Sequence, residues 1–190
     1  MAEEAGRAAR WLSAHGGRGP EALAALLTES DGAVARHAPR AAGWQAETGW
    51  LCAVQLGAAL SDIAHEIADG RQVETGAVLQ PALALGALAL AARDLGATIG
   101  VEAEGIHALL TPQGPLMEPA RWPPRAWALT VCPGGPAAWT DRQRLRTSSQ
   151  GRTAELAAWE TLGRFAARTY VPATEASRER GAGAGTRDGD

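Results

Sequence analysis

Lysine and asparagine are absent from the 190-residue chain, and all 18 of its basic residues are arginine. Without lysine, a protein cannot form a Schiff base, place a P-loop lysine on a nucleotide phosphate, or use a lysine as general base. These absences exclude pyridoxal-phosphate enzymes, Walker-type NTPases, protein kinases and Schiff-base aldolases as functions of this chain.

Basic residues are fewer than acidic residues: the chain has 18 arginines and 21 acidic residues, which gives a net charge of −3. A nucleic-acid-binding protein needs a basic surface to neutralise phosphates, so we expect no nucleic acid partner. The longest apolar run, residues 81–92, is too short to span a bilayer, and no apolar leader opens the chain. We therefore expect a cytoplasmic protein with no membrane partner.

Cysteine is rare as well. The two cysteines, Cys52 and Cys132, are far apart in sequence and show no zinc-ligand spacing. We expect both to be reduced thiols of the core, and we expect no metal and no organic cofactor. Cys132 precedes Pro-Gly-Gly at a predicted strand end, where a core thiol is a simpler interpretation than an exposed nucleophile.

Hydrophobic periodicity predicts four helices in the first half of the chain, over residues 2–15, 20–29, 50–69 and 81–95. Pro20 and Pro81 suit the first turn of a helix, and Gly70 and Gly96 suit the position just after the end. The fourth helix is apolar on almost every side, so we expect it to be the central buried helix. The first helix starts without an N-cap, so we expect the natural chain to begin upstream.

After the fourth helix the apolar residues recur at every second position, as in a β-strand. This alternation predicts a hairpin over residues 99–110 with Glu104-Gly105 as its turn. The rest of the chain predicts a loop over 112–124, a strand over 126–131 and a polar strand within 139–149. A last helix is expected over 151–169, with one apolar stripe formed by Leu156, Trp159, Leu162, Ala166 and Tyr170. Helices and strands are segregated along the chain, so the predicted fold class is α+β, with N-terminal helices, a small antiparallel sheet and a C-terminal helix.

The predicted domain organisation is a single α+β domain over residues 1–171 and a Gly/Ala-rich tail over residues 172–190. The tail has no large apolar side chain. On composition alone it is expected to be disordered, because it cannot bury enough apolar surface to offset the entropy of ordering.

Two stretches carry a family resemblance, AEEAGRAARWLSAHG at the start and RTYVPATEASRERGAGAGTRDGD at the end. Together they resemble an uncharacterised bacterial family that is known only as a domain of unknown function. Members of that family carry an extra segment before the Ala-Glu-Glu, and an Asn where this chain has Gly189. The resemblance implies no activity, but it does imply that the tail is a specified and functional segment.

The candidate ligand-binding residues lie in the last third of the chain. Arg142, Arg144 and Arg146 alternate, so on a strand their guanidiniums would share one face and could clamp a carboxylate or phosphate. The tail would supply the opposite wall, with backbone N–H groups turned towards the anion, through Ser177, Arg178, Gly181, Gly183 and Gly185. The alternatives are a charge-protected edge strand and a flexible tail.

A second polar set consists of Asp62, His65, Glu66 and Asp69, which share one side of the third helix. Such spacing occurs in helical metal sites. The set lies opposite the apolar side that contains Leu56, so a solvated face is the favoured interpretation.

The sequence predicts a non-catalytic module that binds a small anionic metabolite or acts as an accessory protein with a partner protein. The alternative is a small-molecule metabolic enzyme, or an obligate enzyme subunit, with a site formed by the C-terminal third from Arg144, Arg146, Tyr170, Ser177, Arg178 and His107. Neither the ligand nor the oligomeric state follows from the sequence.

Overall fold

The structure, a computed structural model, describes residues 2–40, 43–117, 122–135 and 153–168. Its helices within these ranges are α1 (Ala2–Ala14), α2 (Gly19–Ser30), α3 (Ala53–Asp62), α4 (Ala64–Ala68), α5 (Ala84–Leu95) and α6 (Leu156–Ala167). Its strands there are β1 (Trp50–Cys52), β2 (Val73–Glu74), β3 (Ala77–Leu79), β4 (Ile99–Ala103), β5 (Ile106–Thr111), β6 (Gly114–Met117), β7 (Arg125–Ala126) and β8 (Thr130–Pro133). The predicted α+β class is confirmed.

The larger sheet is antiparallel, with strand order β2-β8-β4-β5-β6. Its centre is the predicted hairpin of β4 and β5. Glu104 and Gly105 have φ angles of 52° and 72°, and two successive left-handed residues are what a two-residue hairpin turn requires. The predicted loop over 112–124 is wrong in its first part, because Gly114–Met117 forms β6 and pairs with β5.

The smaller sheet joins β1 in parallel to β3, and β3 in antiparallel to β7. It corrects two predictions. The helix over 50–69 begins only at Ala53, after β1, and is interrupted at Ile63 between α3 and α4. The strand over 126–131 is divided between the two sheets, as β7 and β8, with Trp127 exposed at the break.

Helix α5 is the centre of the helical layer, as predicted, and contacts α1, α3 and the β4–β5 hairpin. Leu85 and Leu88 are completely buried. The expectation of burial on every side is wrong, because Leu90 and Leu95 are 38% and 47% exposed. A Cβ at Gly86 would lie 3.2 Å from the Cβ of Trp11, so this glycine permits the close approach of α1. One side of α5 therefore belongs to the core and the other faces an open space.

Helices α1 and α2 begin and end close to their predicted positions, and Glu3 and Arg7 form an ion pair one helical turn apart on α1. Helix α6 packs on α2, and of its predicted apolar stripe Leu162 packs against the core, whereas the first two residues do not. Leu156 and Trp159 are 71% and 65% exposed, while Ala158 is the buried residue.

None of the described helices combines the length and the apolar character needed to cross a bilayer. The predicted boundary between a domain over 1–171 and a tail over 172–190 lies beyond the described residues, so this division stays a prediction.

Candidate functional site

The predicted anion-binding residues lie outside the part of the chain that the structure describes: Arg142, Arg144, Arg146, Ser177, Arg178, Gly181, Gly183 and Gly185. The arginine clamp and the glycine-rich nest therefore stay predictions. Tyr170, a group of the alternative enzymatic site, also lies outside the described ranges. The described residues nevertheless form several cavities and one polar sheet face.

The polar sheet face brings together Cys132, Glu102 and His107 from three neighbouring strands. Glu102 lies on the middle strand, β4, and its Oε2 is 3.7 Å from Nδ1 of His107. Cys132 is paired with Gly100, two residues along β4 from Glu102, so the thiol and the imidazole do not oppose each other across that strand. Burial first, and the charge of Glu102 second, raise the pKa of the Cys132 thiol above its ordinary value. A thiol that is kept protonated is not an activated nucleophile.

Replacing Glu102→Gln is expected to speed alkylation of Cys132 by iodoacetamide at neutral pH. Removing the negative charge lowers the thiol pKa and increases the thiolate fraction. The gain should be only a few fold, because burial, the larger cause of the raised pKa, remains. Labelling kinetics followed by mass spectrometry measure it, with Glu160→Gln on α6 as the control. Equal rates for Glu102→Gln and the unmodified protein would contradict the electrostatic part of this account.

The polar set on α3 and α4 occupies a solvated face, as predicted. Asp62, His65 and Asp69 are exposed, and the half-buried Glu66 is paired with Arg71. Among the described residues, no group of three or more His, Cys, Asp or Glu side chains is placed to hold a metal ion. Of this set, Asp62 and His65 take part in a different feature, the wall of an apolar trough described below.

A cavity of about 460 Å³ lies beside the buried Trp122 and the buried Gln80. Gln80 has a left-handed φ of 54°, and the Nε1 group of Trp122 has no hydrogen-bond partner in the described structure. The charged residues on the rim are Arg18, Glu21 and Glu155, and Arg18 is paired with both carboxylates. The cavity offers hydrogen-bonding groups but no unpaired charge for an ionic ligand.

A second cavity of about 460 Å³, the basic pocket, lies between α1, α5 and the turn that joins β5 to β6. Its charged side chains are Arg7 and Arg10 on α1 and Arg93 on α5, and no carboxylate is part of its described lining. The apolar part of the wall includes Trp11 and Leu90. A cavity of this volume suits a small molecule, and three guanidiniums favour one with negative charge.

The three arginines differ in how they are paired. Arg7 bonds Glu3 one helical turn away, and Arg93 bonds the neighbouring Asp94. Both pairs are exposed, and exposed ion pairs contribute about 0–1 kcal/mol, so an incoming anion can compete for these guanidiniums. Arg10 is exposed and makes no hydrogen bond or ion pair with any described residue. Its five N–H donors are available to a ligand.

His15 also lines the basic pocket and is 8% exposed. Its Nδ1–H donates to the carbonyl oxygen of Trp11 at 2.8 Å, and its ring centroid lies 4.4 Å from that of Trp11. Because a carbonyl oxygen only accepts, the proton sits on Nδ1. The contact fixes the imidazole against the indole and gives the pocket a rigid aromatic wall.

An apolar trough of about 480 Å³ lies on the other side of the contact between α1 and α5. Its floor is the open side of α5, with Ala87, Leu90 and Ala91, and its walls are α1 on one side and α3 with α4 on the other. The floor residues recur at helical spacing from Ala87 to Leu95, which spans about 12 Å at 1.5 Å per residue. Leu90 and Leu95 are exposed because they lie on this open floor.

The trough carries negative charge at its ends and sides, from Glu4, Asp62 and Asp94, against the single guanidinium of Arg7. Asp62 is the last residue of α3 and has no ion pair or side-chain hydrogen bond within the described ranges. The C-terminus of a helix carries partial negative charge, so a carboxylate there is unfavourable until a cation joins it.

The basic pocket and the trough meet at three residues that line both cavities, Arg7, Trp11 and Leu90. One continuous surface therefore runs from a site rich in guanidiniums, over the indole of Trp11 and the side chain of Leu90, to the carboxylate of Asp62. The sequence contained one signal for it: Arg7, Arg10 and Trp11 recur at helical spacing on the outward side of α1.

Comparisons with known proteins add no further constraint: no protein-family model matches the chain, and no curated protein or solved structure is detectably similar to it.

Proposed function

We propose that this protein is a non-catalytic module that binds a small anionic molecule in the basic pocket. The observation that carries the proposal is Arg10, whose guanidinium has no partner among the described residues and lies on the wall of a cavity that already contains Arg7 and Arg93. A carboxylate or phosphate group can accept two parallel hydrogen bonds from one guanidinium, which gives strength and orientation.

The same groups support binding rather than turnover. Guanidiniums stay protonated at neutral pH, so they bind and orient anions but do not transfer protons. The imidazole of His15 is engaged with the carbonyl of Trp11, and the Cys132 thiol, with its raised pKa, lies on the separate sheet face. The alternative of an enzyme or an enzyme subunit depends on Arg144, Arg146 and other residues outside the described ranges.

Replacing Arg10→Gln is expected to weaken binding of succinate or inorganic phosphate by up to about fivefold, because Arg10 is exposed and an exposed ion pair contributes at most about 1 kcal/mol. Isothermal titration at low and high salt measures the affinity, and the affinity of the unmodified protein should fall as salt rises. Arg164→Gln is the matched control, because Arg164 is exposed on α6 and lies outside the pocket. Equal affinity in Arg10→Gln and the unmodified protein, or no binding of either anion, would overturn the proposal.

A further inference from the structure

We infer that the ligand of this site is a bipolar molecule, with an anionic group held by the arginines, an apolar middle on the floor of the trough, and a cationic group at Asp62. This inference rests on the proposed anion-binding function and adds the class of the ligand. It assigns a role to the trough, which is adjacent to the basic pocket but has the opposite charge.

The anionic end is placed by Arg7, which faces both cavities. An anion beside Arg7 and Arg10 lies at the border of the trough, so the rest of the molecule can continue along α5. Leu90 is the shared floor residue at this border, and its 38% exposure means that a ligand can cover apolar surface that is now in water. Covering such surface strengthens binding roughly in proportion to its area.

The cationic end is placed by the carboxylate of Asp62, which lies on the opposite wall and has no partner within the described part of the chain. Asp94 adds a second negative charge in the last turn of α5, although it is shared with Arg93. The C-terminal ends of α3 and α5 both lie along the trough, and their partial charges have the same sign as these carboxylates. A purely anionic amphiphile would be repelled here, whereas a terminal ammonium group would be attracted.

The test compares four probes that share parts of one structure: acetate, octanoate, octylamine, and aminooctanoate with its amine at the end opposite the carboxylate. Affinity is measured by isothermal titration on the full chain below the concentrations at which the probes aggregate. We expect octanoate to bind more tightly than acetate, by up to about fourfold for each methylene that becomes buried. Aminooctanoate should bind about three- to fivefold more tightly than octanoate, as expected for one added exposed ion pair.

Two variants separate the parts of the inference. Asp62→Asn should remove the preference for aminooctanoate over octanoate, while Asp69→Asn, an exposed acid outside both cavities, should keep it. Ala91→Trp, which fills the trough from its floor, should remove the dependence on chain length but leave acetate binding unchanged. Circular dichroism and thermal melting establish whether each variant is folded. If Ala91→Trp does not fold, Asp62→Asn still tests the inference.

The outcomes are distinct. Equal affinity for octanoate and aminooctanoate, or a preference that survives Asp62→Asn, overturns the bipolar ligand and leaves the anion pocket standing. Equal affinity for acetate and octanoate overturns the role of the trough. Octylamine binding in the absence of any carboxylate binding overturns both this inference and the proposed function.

Discussion

Replacing Leu88→Ala should lower the free energy of unfolding by about 2–5 kcal/mol, the range for a large aliphatic side chain removed from a packed core. Leu88 is completely buried on α5, the helix that joins the helical layer to the larger sheet. The cavity left by the truncation would be surrounded by regular elements that cannot all move inward, so little of the loss should be recovered by relaxation. Urea denaturation followed by far-UV circular dichroism measures the change.

Leu95→Ala on the same helix is the control for this prediction. Leu95 is 47% exposed at the trough, so its truncation removes less buried surface and should cost less than about 1 kcal/mol. A loss below about half a kcal/mol for Leu88→Ala, or equal losses for the two variants, would contradict the assignment of a buried and an open side to α5.

The helices were predictable because their signals are local. Pro20 and Pro81 mark the first turns of α2 and of the segment that leads into α5, and a single glycine follows the end of α5. The β4–β5 hairpin was equally local, because Glu104-Gly105 lies between two alternating runs. Turn residues and periodicity are read within one segment, and no distant contact is needed to interpret them.

The smaller sheet was missed because strand pairing is a contact between distant residues. Trp50, Leu51 and Cys52 precede a helical pattern directly and continue its apolar character, so they were assigned to the helix. They become a strand only because Ala77–Leu79 lies beside them in parallel. The run from Ala126 to Val131 shows the opposite error: its pattern predicts one strand, but the structure divides it between β7 and β8. No local signal shows that its two ends join different sheets.

Only part of the candidate site could be predicted from the sequence, because the site also depends on contacts between distant residues. Arg7 and Arg10 are one turn apart on α1, but Arg93 is far away in sequence and joins them only when α1 packs across α5 at Gly86. Asp62 was identified as part of a solvated face, which is confirmed. That this face borders an apolar trough depends on the exposure of Leu90 and Leu95, whereas the apolar character of α5 predicted their burial.

Replacing Gly19→Ala is expected to destabilise the protein by about 3 kcal/mol, the upper end of the usual cost of overpacking. Gly19 is the first residue of α2, and a Cβ there would lie 1.9 Å from the carbonyl oxygen of Ala9 and 2.6 Å from Oγ of Ser13. The obstacle is the backbone of α1, which cannot rotate out of the way as a side chain could. Relief therefore requires the two helices to separate, which would expose Leu12 and Leu23, both now buried.

Gly6→Ala in α1 is the matched control, because the same change there meets no atom within 4 Å. Gly6 is exposed in the helix interior, so alanine should raise stability by about 0.5–1 kcal/mol through the lower entropy of the unfolded chain. The two variants should thus shift the thermal midpoint in opposite directions. A Gly19→Ala protein as stable as the unmodified one would show that α1 and α2 do not approach as closely as the structure places them. Because α1 also supplies Arg7 and Arg10, Gly19→Ala should weaken succinate binding as well, whereas Gly6→Ala should not.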